Sequence, residues 1–380
     1  MMSRGEISGA LLGCVVGLAG LGLVMVFSAT APLCAGAPIP PHFLRHLGAL
    51  LVGGAVALIA SRLPLRVWHQ FALPLWALVL LLLIATLLAG VRVNGAQRWL
   101  ALPGIGITFQ PAELAKLATV MAIAVVLSRR DGHAPVPASR FTIAIALAGI
   151  PAALCVLQPD LGNAVLLLGL AGLLLFVAGA PLRALAGPAV LATVGVGAYS
   201  IVHPYAFRRW IGFLKPWDTS QEQGYQLVQS FVAFGRGGLF GEGLGDGRQK
   251  LFYLPEAHTD FILAVISEEL GLIGVLAVLG AFAALLVVGA RIALCSRQRF
   301  PMLLSFGMTG LLTVPGLINA AVVMGVAPTK GLTLPLVSYG RSSLIVSCLA
   351  VGVLMSVARS HSPAGRSGVR GAVPRGLVQA

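Results

Sequence analysis

The sequence predicts an all-α polytopic membrane protein of about ten transmembrane helices with one long extracytoplasmic loop, and three observations carry this. Hydrophobic residues make up 58% of the 380 and charged residues only 10%, whereas a soluble domain carries roughly a quarter charged. Apolar runs of about 18–25 residues recur along the whole chain, each long enough to cross a ~30 Å hydrocarbon core. The runs lack the short alternating pattern of a barrel, and in lipid the backbone must satisfy its own hydrogen bonds, so they read as helices.

The runs fall at 8–28, 44–61, 71–90, 111–128, 141–157, 161–180, 186–203, 259–290, 301–326 and 335–358. The eighth exceeds one crossing and is expected to be tilted, broken or partly outside the bilayer. Residues 1–358 read as one membrane domain with an outer loop at about 204–257, and 359–380 as a disordered basic cytoplasmic tail. Ala35-Gly36-Ala37 after the first run could mark a signal-peptide cleavage site, the lesser reading of that run. The cysteines at 14, 34, 155, 295 and 348 have neither metal-ligand spacing nor a disulfide framework.

Orientation follows from the basic residues. With the N-terminus inside, 14 of the 26 Lys and Arg fall in cytoplasmic segments: Arg4, Arg62, Arg66, Arg129, Arg130, Arg140, Arg183, Arg291, Arg297, Arg299, Arg359, Arg366, Arg370 and Arg375. Of the other 12, six lie in the 204–257 loop. This bias puts both termini in the cytoplasm. Anionic lipid and the insertion rule account for most of the net charge of +14, and no nucleic-acid partner is implied. Of the 12 acids, only Glu6 and Asp131 fall on the cytoplasmic side. The others sit in outer loops or within helices, where ionisable groups are costly and mark function by default. Any chemistry therefore faces outward.

Three helices entering from outside are expected to open with proline and then an acid: Gln110-Pro111-Ala112-Glu113, Gln158-Pro159-Asp160, and Pro255-Glu256 with Asp260 one turn on. Proline suits the first helical position, and first-turn acids complement the helix dipole. That explains Glu113, Asp160 and Glu256 structurally, but neither Asp260 nor Lys116, one turn below Glu113. A Glu–Lys pair at membrane depth points to a polar cavity between helices, and outward helix N-termini there would favour an anion such as a pyrophosphate. In the 204–257 loop, 224–234 has amphipathic spacing suited to the interface, and Trp210, Trp217 and Tyr225 suit the headgroup belt. The glycine-rich run from Gly235 to Gly247 lacks a preceding strand, so it reads as a flexible segment whose backbone can approach a ligand, not as a nucleotide loop.

These residues resemble the SEDS family (shape, elongation, division and sporulation). The resemblance rests on Gly22-Leu-Val-Met-Val-Phe-Ser-Ala, Asn94-Gly-Ala-Gln-Arg-Trp-Leu, Gln110-Pro-Ala-Glu-Leu-Ala-Lys-Leu, Gln158-Pro-Asp-Leu-Gly and Tyr225-Gln-Leu-Val-Gln-Ser. It continues through Gln249-Lys-Leu-Phe-Tyr-Leu-Pro-Glu-Ala-His-Thr-Asp-Phe-Ile, Glu268-Glu-Leu-Gly, Pro328-Thr-Lys-Gly-Leu-Thr-Leu-Pro and Ser338-Tyr-Gly-Arg-Ser-Ser-Leu. The segments span 19 to about 345 in the family's order, and several favour its division branch over its elongation branch. Arg341 stands where the family typically has glycine.

The resemblance implies polymerisation of lipid II, an undecaprenyl-pyrophosphate disaccharide-pentapeptide, into β-1,4 glycan strands with inversion. Such chemistry needs a base for the acceptor hydroxyl and positive charge at the departing pyrophosphate. It implies Asp260 as the base and Trp99 as a wall or grip of the cavity. Arg98, Lys116, Lys250 and Arg341 become candidates for the pyrophosphates, with a divalent cation, magnesium or manganese, as a further one. Glu113, Asp160, Glu256, His258, Thr259 and Ser342 complete the expected substrate site. Glu268 and Glu269 lie ~12 Å further along that helix, too deep for the same proton transfer. A class B penicillin-binding protein transpeptidase and other division proteins are the implied partners. A lipid II flippase and a non-catalytic scaffold are the alternatives, and the outward bias of the acids disfavours alternating access.

Overall fold

The computed structural model describes residues 4–33, 39–93, 96–102, 107–129 and 136–360. The possible cleavage site at 35–37, Cys34, Arg130, Asp131 and the tail from 361 onward lie outside the described residues.

Among the described residues, nine helices are long and apolar enough to cross a membrane, and a tenth apolar helix has 17 residues. In order these are α1 Arg4–Thr30, α2 Pro41–Arg62, α3 Leu65–Ala89, α4 Pro111–Ser128, α5 Ala138–Leu157, α6 Leu161–Val177 and α7 Leu182–Val202. Two short helices follow, α8 Pro204–Leu214 and α9 Tyr225–Gly237, before α10 Ile262–Leu294, α11 Arg299–Val323 and α12 Arg341–Ser360. Each of the ten predicted runs coincides with one long apolar helix. The helix α4 is enclosed on nearly all sides, α11 and α12 are largely enclosed, and α7 stands almost entirely exposed on the outside of the bundle.

Between α3 and α4 lie three short antiparallel strands, β1 Val91–Val93, β2 Ala96–Leu102 and β3 Ile107–Phe109, in the order β1-β2-β3. β2 carries Arg98 and Trp99 to the end of the bundle where the α5–α6, α7–α10 and α11–α12 connections lie. The expected interfacial stretch is α9, and it packs inward: Leu227, Val228, Ser230 and Ala233 are buried, and Ser230 Oγ donates to the Val323 carbonyl at 2.7 Å.

The overlong eighth run is broken, as its length requires. At Gly271 the chain turns to φ +67°, ψ −165°, a conformation open to glycine, and α10 resumes beyond it. A break at membrane depth frees backbone groups that need partners. The glycine-rich loop supplies them: Glu242 N donates to Glu268 O at 2.9 Å, Gly243 N to Glu269 O at 3.2 Å, and Leu272 N to Gly238 O at 2.9 Å. This backbone approaches α10.

Candidate active site

Two irregular segments bring the chemistry together. Pro255–Phe261 does not open a helix as the proline pattern suggested; α10 starts only at Ile262. Glu256 sits at φ +56° in a tight turn, accepts Thr259 N at 3.1 Å on its carbonyl, and takes the Thr259 hydroxyl on its carboxylate at 2.8 Å. Asp260 ends this turn. The second segment, 325–340, joins α11 to α12.

Together with β2, β3 and the starts of α4 and α12, these segments enclose a cavity of about 630 Å³. Seven of the eleven expected site residues line it: Trp99, Glu113, Lys116, Glu256, Thr259, Asp260 and Ser342. Pro111 takes the first helical position of α4, as expected, and one turn on Lys116 Nζ meets Glu113 Oε1 at 2.8 Å with both side chains buried. Ser342 accepts from Gln110 N at 3.1 Å, which ties α12 to α4. Arg341 also lines the cavity and donates to Thr108 Oγ1 at 3.2 Å, so its guanidinium joins α12 to β3.

Four expected residues stand elsewhere. Asp160 caps α6, accepting Asn163 N at 3.2 Å, Asn163 Nδ2 at 2.8 Å and Gln110 Nε2 at 3.1 Å, so its carboxylate is occupied in holding helices. Arg98 donates to the Gln158 and Pro159 carbonyls and lines a neighbouring chamber of about 390 Å³. His258 packs with His42 and Tyr339, ring centroids 5.4 and 5.5 Å away. Lys250 is the clearest correction. Its ammonium is buried 2.6 Å from Glu269 Oε1 and 2.8 Å from Ser28 Oγ, and it does not line the cavity. Glu268 in turn accepts Arg248 N at 2.9 Å and Gln249 N at 3.0 Å. The Glu268–Glu269 pair therefore anchors the glycine-rich loop to α10.

Two cations missed in the sequence, Lys330 and Arg209, line both the cavity and the neighbouring chamber. Lys330 lies in the Pro328-Thr-Lys-Gly segment noted above, and a lone lysine in a polar connection gave no further signal. Arg209 projects from α8 and donates to the Thr329 carbonyl at 3.2 Å.

The electrostatics single out Asp260. Its carboxyl looks onto the cavity but is otherwise surrounded by protein. Burial pushes its pKa up to about 7, Glu256 adds to the rise, and Arg209 and Arg98 partly offset it. Burial lowers the Lys330 ammonium, with Arg209 adding to the effect. A carboxylate whose pKa is raised towards neutral, in a cavity that two cations also line, suits a general base in a reaction that expels an anion.

Space around this carboxylate is set by Gly331, where an added Cβ would lie 2.9 Å from Asp260 Oδ2. The carboxylate, at the end of a mobile side chain, would yield before the backbone. Gly331→Ala is therefore expected to lower turnover at least ~10-fold through a displaced base while leaving the thermal midpoint nearly unchanged. Steady-state kinetics beside a melting curve check both parts.

Among the described residues, no three His, Cys, Asp or Glu side chains come together in a way that would hold a metal ion.

Comparison with known proteins agrees along nearly the whole chain. The FtsW/RodA/SpoVE family, described as cell cycle protein, matches residues 9–363. A protein of Coxiella burnetii named probable peptidoglycan glycosyltransferase FtsW is 42% identical over 354 residues, covering 91% of this chain and 94% of that one. Its namesake in Geobacter metallireducens is 40% identical over 346 residues, covering 90% and 92%. Among solved structures, the rod shape determining protein RodA of Thermus thermophilus superposes with a TM-score of 0.68 at 31% identity, covering 92% of this chain and 96% of that one. A chain from a structure on the coordination of polymerization and crosslinking by a peptidoglycan synthase complex superposes with a TM-score of 0.75 at 32% identity, covering 93% and 98%. The ten apolar helices, the motif series and these matches together place the chain in the FtsW/RodA/SpoVE family of polytopic membrane proteins.

Proposed function

We propose that this chain is a peptidoglycan glycosyltransferase that polymerises lipid II with Asp260 as its general base. The observation that carries the reading is the Asp260 carboxyl, raised to about 7 and facing a cavity that Lys330 and Arg209 also line. In the proposed reaction the 4-hydroxyl of one glycan attacks the anomeric carbon of another. Its proton passes to Asp260, a β-1,4 bond forms with inversion, and the bond to the lipid diphosphate breaks. Lys330 and Arg209 stabilise the charge arriving on that diphosphate. Lys116, already paired with Glu113, shapes the cavity wall with Trp99. If a divalent cation binds with the substrate, the Glu256 carboxylate on the cavity wall would help hold it, and the ion would add neutralising charge at the diphosphate.

The reading extends to the cell. The basic residues support a cytoplasmic membrane location with both termini inside and the cavity outside. A transpeptidase of the class B penicillin-binding type supplies the crosslinks, and other division proteins complete the assembly.

The pH profile tests the base. A base must be unprotonated to act, so the polymerisation rate of purified chain with lipid II is expected to rise as pH passes through about 7. Glu256→Gln removes a like charge from beside Asp260 and is expected to move that rise to lower pH. A rise near pH 4 in the unaltered chain, or a limb indifferent to Glu256, would overturn the assignment. Lipid II crossing vesicle membranes with no strand formed would favour the transport reading instead.

A further inference from the structure

The two segments that carry Asp260 and Lys330 have no regular secondary structure, so their register depends on individual hydrogen bonds. Three links join 258–260 to the 325–340 segment. Tyr339 N donates to His258 O at 2.9 Å, and Ser338 Oγ donates to Thr259 O at 2.6 Å while accepting Leu334 N at 2.8 Å. The third link comes from outside both segments. Asn319, on the last turns of α11 and 1% exposed, directs one amide nitrogen at two carbonyls: Asp260 O at 2.7 Å and Leu332 O at 2.6 Å. One primary amide carries two N–H donors, so both are used. Each is aimed at the backbone of a segment bearing a reactive group, at Asp260 itself and two residues from Lys330. The two segments also meet closely: a Cβ on Gly331 would lie 2.9 Å from the Asp260 carboxylate.

We propose that Asn319 is a positioning residue that clamps the Asp260 turn to the Lys330 segment and so sets the distance between base and cation. It is attached to α11, one of the most enclosed helices, and thereby fixes both segments to the rigid part of the fold. It does not line the cavity, so its effect belongs to the geometry of turnover more than to binding. The inference rests on the proposed glycosyltransferase reading.

Asn319→Ala removes both donors, and Asn319→Ser shortens the side chain and leaves a single one. On folded, purified protein, Asn319→Ala is expected to lower kcat for lipid II polymerisation by about 10²-fold, the scale of a ~1 Å misplacement, with KM within about threefold. Asn319→Ser should fall between it and the unaltered chain. A purely structural role would instead reduce the yield of folded protein and leave kcat per folded molecule alone. Unchanged kcat in both variants would overturn the proposal, as would a loss confined to KM or failure of both variants to fold. The unaltered chain in the same assay keeps the two readings apart: if it makes no glycan, the glycosyltransferase assignment fails first.

Discussion

Asp260→Asn is expected to reduce lipid II polymerisation at least ~10³-fold, at the strong end of what a positioned general base contributes, while the variant melts no lower than the unaltered chain. The two halves have one cause. Burial and Glu256 raise the folded-state pKa of Asp260 to about 7, above the ordinary carboxylate value of about 4. Ionising it therefore costs stability progressively as pH rises between those values, and above about 7 the full cost is present. Asparagine has nearly the same shape and no charge to desolvate, so it removes both the cost and the base. A variant that loses activity and stability together would point to a structural carboxylate like Asp160.

The second large effect is expected at Lys330. Lys330→Ala should cost about 10²–10³-fold in kcat/KM, the range for removing one preorganised stabiliser of developing charge, and Lys330→Arg should recover part of it. Burial and Arg209 lower the Lys330 pKa, so its positive charge is lost at lower pH than for an ordinary lysine. The unaltered chain should accordingly lose activity at alkaline pH, and the arginine variant should hold its smaller activity further into that range. Rate measurements across pH on the three proteins check this. Arg209 lines the same two cavities and would account for activity remaining in Lys330→Ala.

How much of this was legible in the sequence depended on whether a residue's partner lay nearby in the chain. The helices were legible because crossing a bilayer imposes a length and a composition, and each long run became one helix. The break in α10 was foreshadowed by excess length, though nothing local named Gly271, since its partners Gly238 and Glu242 lie about thirty residues upstream. The Glu113–Lys116 pair was legible because three residues separate the partners on one helix. Lys250 was not, because its partners, Glu269 and Ser28, are 19 and 222 positions away. A buried lysine in a structural pair and one facing a substrate look alike in sequence. Pro255 misled for a related reason: proline before acids suits a helix start and a tight turn equally well. The strands from Val91 to Phe109 are too short for a period-two pattern to stand out. Lys330 and Arg209 acquire meaning only when α8 and the α11–α12 connection are folded against Asp260.

The most direct test is to incubate the purified chain, with its partner transpeptidase and a β-lactam to block crosslinking, with purified lipid II, beside Asp260→Asn at neutral pH. Long glycan strands from the unaltered chain and none from the variant are the expected result. Strands of equal length and yield from both would contradict Asp260 as the base, and no strands from either would contradict the assignment of a polymerase.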